Sequence, residues 1–246
     1  MTRVKVISYN IHKGFASGRK RFILNRIREL FQDLHPDLIF LQEVVGENQI
    51  HGKSVKEWPT QSQFEFLADQ FWPHYAYGKN AVYQYGHHGN AILSKYPFIS
   101  FENIDVSMSR FERRGLLHGV ISISGKLIHL ICAHLGLIES ERMLQIHRLC
   151  SRIESHVPHD EPLIIGGDFN DWRQKASHPL QKKLDVQEAF LKTQGEHARS
   201  FPCWLPALRL DRIYYRGVRV QNAQCLTEKP WNQLSDHAAL FAEFQL

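Results

Sequence analysis

The sequence predicts a single mixed α/β domain, and three observations carry that prediction. Many apolar runs have the length of strands, several pair across short turn sequences, and two longer stretches repeat apolar residues at helical spacing. With 246 residues, 43% of them hydrophobic, the chain can bury a large core. No internal repeat or linker-like shift in composition divides it, so residues 1–246 are read as one domain.

Residues 4–11 read as a strand ending in Tyr9-Asn10-Ile11-His12. Over residues 21–34, Phe22, Ile23, Ile27, Leu30, Phe31 and Leu34 share one helical face while Arg and Glu take the other, and Pro36 stops the helix. Residues 38–41 form an apolar strand that runs into Gln42-Glu43. Residues 45–60 are polar, carry Gly46, Gly52 and Pro59, and predict a long loop. A helix is expected over 61–71, then strands over 75–83 and 89–93 separated by a turn at 86–89, and another strand over 99–106. Ser124-Gly125 joins 116–123 to 126–132 as a hairpin. A second long helix spans 140–157, with Met143, Ile146, Leu149, Cys150 and Ile153 on its apolar side. A buried strand over 162–165 follows, then a short helix over 178–184 and an irregular stretch to Pro206. Strands over 210–215, 218–226 and 238–244 complete the chain, with a loop at 228–234.

The formal net charge is +5, and it is uneven. Residues 1–30 hold Lys or Arg at 3, 5, 13, 19, 20, 21, 26 and 28 against the single acid Glu29. That excess suits either one edge of a phosphate-attracting surface or a solvated helix face. No stretch has signal-peptide or transmembrane character, which predicts a soluble, cytoplasmic protein while leaving action at a lipid surface open. Cysteines 132, 150, 203 and 225 match no zinc-knuckle spacing and are read as reduced, buried thiols.

The chemistry is concentrated where apolar runs end. Residues 164–171 read I-I-G-G-D-F-N-D, a strand followed by two glycines and then Asp168 and Asn170. The same event recurs at Asn10, Glu43, His134 and Asp211, and at Asp236-His237 just before the last strand. Each residue alone fits an Asx turn, a cap or a satisfied core polar group. Neighbouring strands lie about 4.8 Å apart, so same-side strand ends can also converge on one pocket. Glu43, Asp168, Asp236 and Asn10 are hard oxygen donors that suit magnesium or manganese. No HExxH, cysteine cluster, GK[ST] loop, GxGxxG or GxSxG motif is present. Together with His134, His237 and nearby arginines, such a set points to phosphoryl or phosphodiester hydrolysis.

The blocks Tyr9-Asn10-Ile11-His12, Leu41-Gln42-Glu43, Gly89-Asn90-Ala91-Ile92-Leu93-Ser94, Ala133-His134-Leu135, Gly166-Gly167-Asp168-Phe169-Asn170, Leu210-Asp211-Arg212-Ile213 and Ser235-Asp236-His237 occur in an order that resembles the endonuclease/exonuclease/phosphatase superfamily, in particular its compact bacterial branch. The resemblance implies a four-layer α/β sandwich, two mixed sheets packed face to face with helices on the outer faces and the active site at one edge. It implies that Glu43 binds the divalent metal with Asn10 and Asp236, and that Asp168 positions or deprotonates the attacking water. Asn170 and His134 hold phosphate oxygens, His237 contacts the scissile phosphate or acts in acid–base chemistry, and Asp211 orients the His237 ring.

Several positions depart from the family pattern. His12 stands where abasic-site enzymes of the family carry an acid, and reads either as a phosphate contact or as a polar strand end. No tyrosine matches securely the one that acts in some members, Tyr83 and Tyr85 being the candidates. Arg114, in Glu112-Arg113-Arg114-Gly115, is placed either to reach substrate phosphate or to form a structural ion pair. For substrate, the basic amino-terminal segment and Trp58, Trp72, Trp172 and Trp204 favour DNA or RNA. A lipid or small-molecule phosphodiester is the alternative, to which the stretch 201–206 would be suited if it faced the site rather than packing into the sandwich. A catalytically silent phosphate-binding module is the remaining reading. No protein partner is indicated.

Overall fold

The computed structural model of the chain describes residues 2–18, 21–110 and 112–246. Strand β1 (Arg3–Asn10) leads through a 3-10 turn to helix α1 (Leu24–Leu34), β2 (Leu38–Asn48), the single-turn α2 (His51–Ser54) and α3 (Gln63–Ala68). Strands β3 (His74–Tyr83), β4 (Gly86–Ser94), β5 (Phe98–Asp105), β6 (Gly115–Ile123) and β7 (Lys126–His134) follow, then α4 (Glu139–His156) and β8 (Leu163–Asp168). The chain ends through α5 (Ser177–Leu184), β9 (Gln187–Glu188), α6 (Ala189–Gln194), β10 (Asp211–Arg216), β11 (Arg219–Leu226) and β12 (Ala239–Gln245).

These strands form two six-stranded mixed sheets, in the orders β11-β12-β1-β2-β4-β3 and β5-β6-β7-β8-β10-β9. The parallel pairs are β1 with β2 and β7 with β8. Because side chains alternate along a strand, each central strand supplies two apolar faces. Val6, Phe40 and Ile92 of one sheet meet Leu130, Ile164 and Ile213 of the other in a core between the sheets. The opposite face of the first sheet, with Ile7, Ile39 and Leu41, is covered by Ile27 and Phe31 of α1 and Leu67 of α3. Ile131 and Ile165 on the outer face of the second sheet are covered by Ile146, Leu149 and Ile153 of α4 and Leu180 of α5. Helix, sheet, sheet and helix therefore stack as the predicted four-layer sandwich.

Local departures from the sequence reading have local causes. Helix α1 starts at Leu24 rather than residue 21, because Phe22 makes a β-bridge to Phe15 before the helix begins. It ends at His35 in a left-handed conformation, and Pro36 follows. Ser62 and Glu65 form a capping box that starts α3 at Gln63, and Asp69 with φ 43° ends it well short of residue 71. β2 runs on to Asn48, three residues past the expected loop start, since β4 pairs with it through two bulges. The expected turn at 86–89 lies inside β4, and the tip is Gln84-Tyr85. Gly89 serves close strand approach, for a Cβ there would lie 1.8 Å from the Gly78 carbonyl oxygen. Part of the expected irregular stretch before Pro206 is β9 and α6. Cys132, Cys150 and Cys203 are buried and Cys225 half-buried, all as free thiols.

A Cβ at Gly167 would lie 2.0 Å from the Ala133 carbonyl oxygen of β7. Gly167→Ala is expected to cost at least about 2 kcal/mol in chemical denaturation, because the backbone on which His134 and Asp168 are paired would have to part.

Candidate active site

The face that packs between the sheets changes character at one end. Going along β1 it carries Val4, Val6, Ser8 and Asn10, along β2 Leu38, Phe40 and Gln42, and along β8 Ile164, Gly166 and Asp168. On β7 the series is Leu130, Cys132 and His134, and on β10 it starts at Asp211 before Ile213 and Tyr215. Strand register sets His134 beside Asp168 and Asp168 beside Asp211. Across the sandwich, Asn10 of the first sheet donates from Nδ2 to Asp168 Oδ2 at 3.1 Å. The strand ends thus converge, as their polar residues predicted.

Asp168 is 1% exposed. Its Oδ1 accepts from the Asn170 backbone N–H at 2.9 Å, and its Oδ2 lies 3.6 Å from His134 Nε2 and 3.7 Å from His237 Nε2. Burial raises its pKa and Asp211 adds to the rise, while His237 opposes it. His237 Nδ1 hydrogen-bonds Asp211 Oδ2 at 2.9 Å, and the Ser200 hydroxyl donates to the same oxygen. A carboxylate partner requires that Nδ1 carry its proton, which turns Nε2 toward Asp168. Burial works against a charged His237, but Asp211 and Asp168 outweigh it and hold its pKa above the ordinary imidazole range. His134 behaves oppositely: burial, reinforced by Arg114, keeps it neutral. Arg114 Nη1 lies 3.4 Å from His134 Nδ1 and can only donate, so His134 carries its proton on Nε2, facing Asp168.

The remaining predicted residues ring this centre. Glu43 sits at a β2 bulge with φ 56°, and Lys13 Nζ approaches its Oε2 at 3.4 Å. Burial pushes its carboxyl up, but His134, Lys13, His12 and His237 together hold it down at about 2. It is ionised and faces the same cleft. Asn170, with φ 49°, donates its side-chain amide to the Leu135 carbonyl at 2.9 Å, tying the end of β8 to that of β7. His12 Nδ1 is 3.6 Å from Asp236 Oδ1. Ser235 binds the Asn10 carbonyl and the Tyr9 hydroxyl, which anchors the Ser235-Asp236-His237 turn to the end of β1. Arg114 also pairs with Glu112 at 2.7 Å, the structural ion pair that is one of its two readings, and stands beside the site through His134. Asp171, the second acid of the 164–171 block, caps the next turn by accepting from the backbone of Lys175 and Ala176. Ser200 escaped the sequence reading altogether; Lys13 entered it only as one of the basic amino-terminal residues and Glu112 only as part of the segment around Arg114, neither with a role at the site.

The donor set suits a divalent cation. Ligand atoms of Asp168, Asp211 and His237 lie within 4.8 Å of one another, a buried cluster that could hold one once His237 gave up its Nε2 proton. This differs from the expected ligand set of Glu43, Asn10 and Asp236, and the two sets border each other in the cleft. Asp211 Oδ1 and Gln42 Oε1 are buried oxygens with no hydrogen-bond partner, as expected beside a site for a cation or its waters.

The chain matches the Endonuclease/Exonuclease/phosphatase family over residues 7–237. It belongs to that family. It is 46% identical to YbhP of Escherichia coli strain K12 over 98% of this chain and 96% of YbhP. Among solved structures, a family protein from Bacteroides vulgatus superposes with a TM-score of 0.77 at 18% identity, covering 100% of both chains. TDP2 from D. rerio, solved with a single-strand DNA product, gives 0.71 at 20% identity over 100% of both chains. At these identities the two structures establish the fold alone. Family fold and acid–imidazole cluster together support a metal-dependent hydrolase of this superfamily.

Tryptophans expected at a nucleic-acid surface divide. Trp72 is buried with its Nε1–H on the Pro36 carbonyl, and Trp58 stacks on Phe22, whereas Trp172 and Trp204 are exposed. The 201–206 stretch thus presents its apolar tip to solvent instead of packing into the sandwich. Tyr83 and Tyr85, the catalytic-tyrosine candidates, stand at the β3–β4 tip, both in contact with solvent. Of the basic amino-terminal segment, Arg19 and Lys20 lie outside the described residues.

In the metal-free protein, His237 should remain protonated well above pH 6.5 in an imidazole NMR titration. Asp211→Asn should bring its pKa sharply down. The raised pKa contributes stability that is complete below about 6.5 and lost as pH rises through the folded-state value. Unfolding free energies measured from pH 6 upward should therefore fall more steeply for the wild type than for Asp211→Asn.

Proposed function

We propose that the protein is a magnesium- or manganese-dependent phosphodiester hydrolase. The observation that carries this reading is the convergence on Asp168 of Asn10, His134 and His237, with Asp211 behind His237. One ionisable carboxylate is held in place by neutral amides and flanked by two imidazoles of opposite protonation state. That is a division of acid and base roles within one pocket.

Asp168 holds a water by hydrogen bond and accepts its proton as the water oxygen bonds to phosphorus. Asn10 and the Asn170 N–H fix the carboxylate's orientation for that transfer. His134, neutral with its proton on Nε2, donates to a nonbridging phosphate oxygen, and Arg114 at its Nδ1 holds the ring there. The P–O bond to the leaving group breaks, and His237 supplies the proton that the departing oxygen takes. Asp211 and Ser200 fix the His237 ring and stabilise its charge. Glu43 with Asn10 and Asp236 would hold a divalent ion, which when bound would supply positive charge where the phosphate oxygens become more negative. Lys13, His12 and Arg114 line the approach and attract an anionic substrate. All of these groups act on the phosphate and none on the groups it joins, so the site specifies the ester bond.

Turnover of a soluble bis-aryl phosphodiester should require magnesium or manganese. Asp168→Ala and His237→Ala should each lower it by about 10² to 10⁴ with near wild-type circular dichroism. Glu43→Gln should shift the metal titration to higher concentration. Undiminished turnover in the Asp168→Ala/His237→Ala double variant would overturn the assignment.

A further inference from the structure

The mouth of the site is rimmed by apolar residues that face water. Loops that follow β7 and β8, the loop that precedes β10, and the β3–β4 tip all leave the sandwich at the end where Asp168 lies. Their crests carry Leu137 (66% exposed), Ile138 (57%), Trp172 (48%), Trp204 (62%), Leu205 (63%) and Tyr85 (44%). At the opposite end, the turns at 124–125 and 158–162 are polar, and the exposed large apolar side chains near them, Leu127, Ile99 and Phe71, are fewer and stand on separate elements. Single exposed leucines are ordinary on a protein surface; their gathering on the crests around one mouth is not.

These crests are tied to the catalytic groups. Leu137 follows His134 by three residues, and its N–H donates to Glu112, the acid that holds Arg114. Trp172 follows Asn170 by two. Trp204 and Leu205 crown the hairpin in which Cys203 N–H binds the Asp236 carbonyl, and the Phe201 ring of that hairpin packs 5.0 Å from the His237 ring. A surface seated on the crests therefore meets the catalytic cleft directly.

Two kinds of phosphodiester surface compete for such a rim. A nucleic acid presents phosphates on a polyanionic ridge and asks for cations along it. Here the crests are largely aliphatic, and the three cations beside them, set against two acids, make no continuous basic ridge. Arg173 and Lys175 share Glu139, and Arg209 pairs with Glu196. A bilayer places its phosphates a few ångströms above an apolar layer, which suits aliphatic and Trp crests around a phosphate-binding floor. Arg173, stacked at 4.6 Å on the Trp172 ring, adds a cation at headgroup level, and the chain's net charge is +5. None of the described helices is long and apolar enough to cross a membrane.

We propose that this end of the sandwich is an interfacial surface that docks on an anionic phospholipid bilayer and delivers a lipid phosphodiester to the cleft. The substrate half of this proposal rests on the hydrolase reading above; the docking half does not.

The test uses the full chain in EDTA, with sedimentation on phosphatidylglycerol/phosphatidylcholine vesicles and, in parallel, a fluorescent single-stranded oligonucleotide. Wild type should sediment with anionic vesicles and its Trp emission should shift to the blue. Leu137→Ser/Ile138→Ser and Trp204→Ser/Leu205→Ser should each weaken vesicle binding about tenfold or more, with soluble bis-aryl diester turnover unchanged. With magnesium, wild type should hydrolyse the vesicle phospholipid and the crest variants should lose most of that activity. Absence of vesicle binding, binding that the crest variants do not weaken, or oligonucleotide binding that depends on these same crests would each overturn the docking proposal. Vesicle binding without turnover of any diester would instead defeat the hydrolase reading and, with it, the lipid as substrate.

Discussion

Asp168 and Asp211 stand side by side on neighbouring strands, each 1% exposed, and the surrounding residues offset the cost of keeping two carboxylates out of water. Asn10 crosses from the other sheet to one, the Asn170 backbone curls back to the same group, and Ser200 and His237 bind the other. Asn10 and the Asn170 N–H each serve a different oxygen of Asp168, whereas Ser200 and His237 share one oxygen of Asp211. Two like charges at this spacing favour a proton between them, and His237 holds it. The same pressure keeps the donors pointed inward before any substrate arrives, which is the condition for electrostatic stabilisation of a developing charge.

The sandwich supplies this arrangement from its own packing. Each central strand spends most of its inner face on apolar contacts between the sheets, then turns polar over its last inward-facing position. The β7–β8 and β8–β10 registers then bring those positions abreast. A slip of one residue would send Asp168 to the helix-covered face and Phe169 to the cleft, so stability of the core and geometry of the site are enforced by one periodicity. Outside the cleft the constraint relaxes, and the loops carry aliphatic crests, Trp172 under Arg173, and cations that share acids.

How much of this was legible depended on whether the signal was local. The inward-facing polar ends of β1, β7, β8 and β10 could be read because a period of two and an apolar run are properties of a few consecutive residues. Asn10, His134, Asp168, Asp211 and His237 were found that way, and the order of the motif blocks implied the four layers. Pairs that form between loops left no such trace. Ser200 binds Asp211 from an irregular stretch, and Lys13 reaches Glu43 across a gap of thirty residues. The glycines at 86 and 89 resembled a turn because composition alone does not distinguish a bend from a close approach of backbones.

The sequence by itself determined the strands, their inward and outward faces, the acids and imidazoles that close them, and membership in a phosphoester-hydrolysing family. Only the tertiary structure decided which tryptophans meet water. Trp72 is followed by Pro73 and Trp204 lies two residues from Pro202 and from Pro206, yet one is sealed under α1 and the other stands on a crest. Burial depends on what the rest of the chain brings to cover a side chain, and that cover comes from residues far away in sequence. The same physics separates the ester bond from the substrate that carries it: the first is set by strand-end chemistry, the second by the surface that the loops assemble around the mouth.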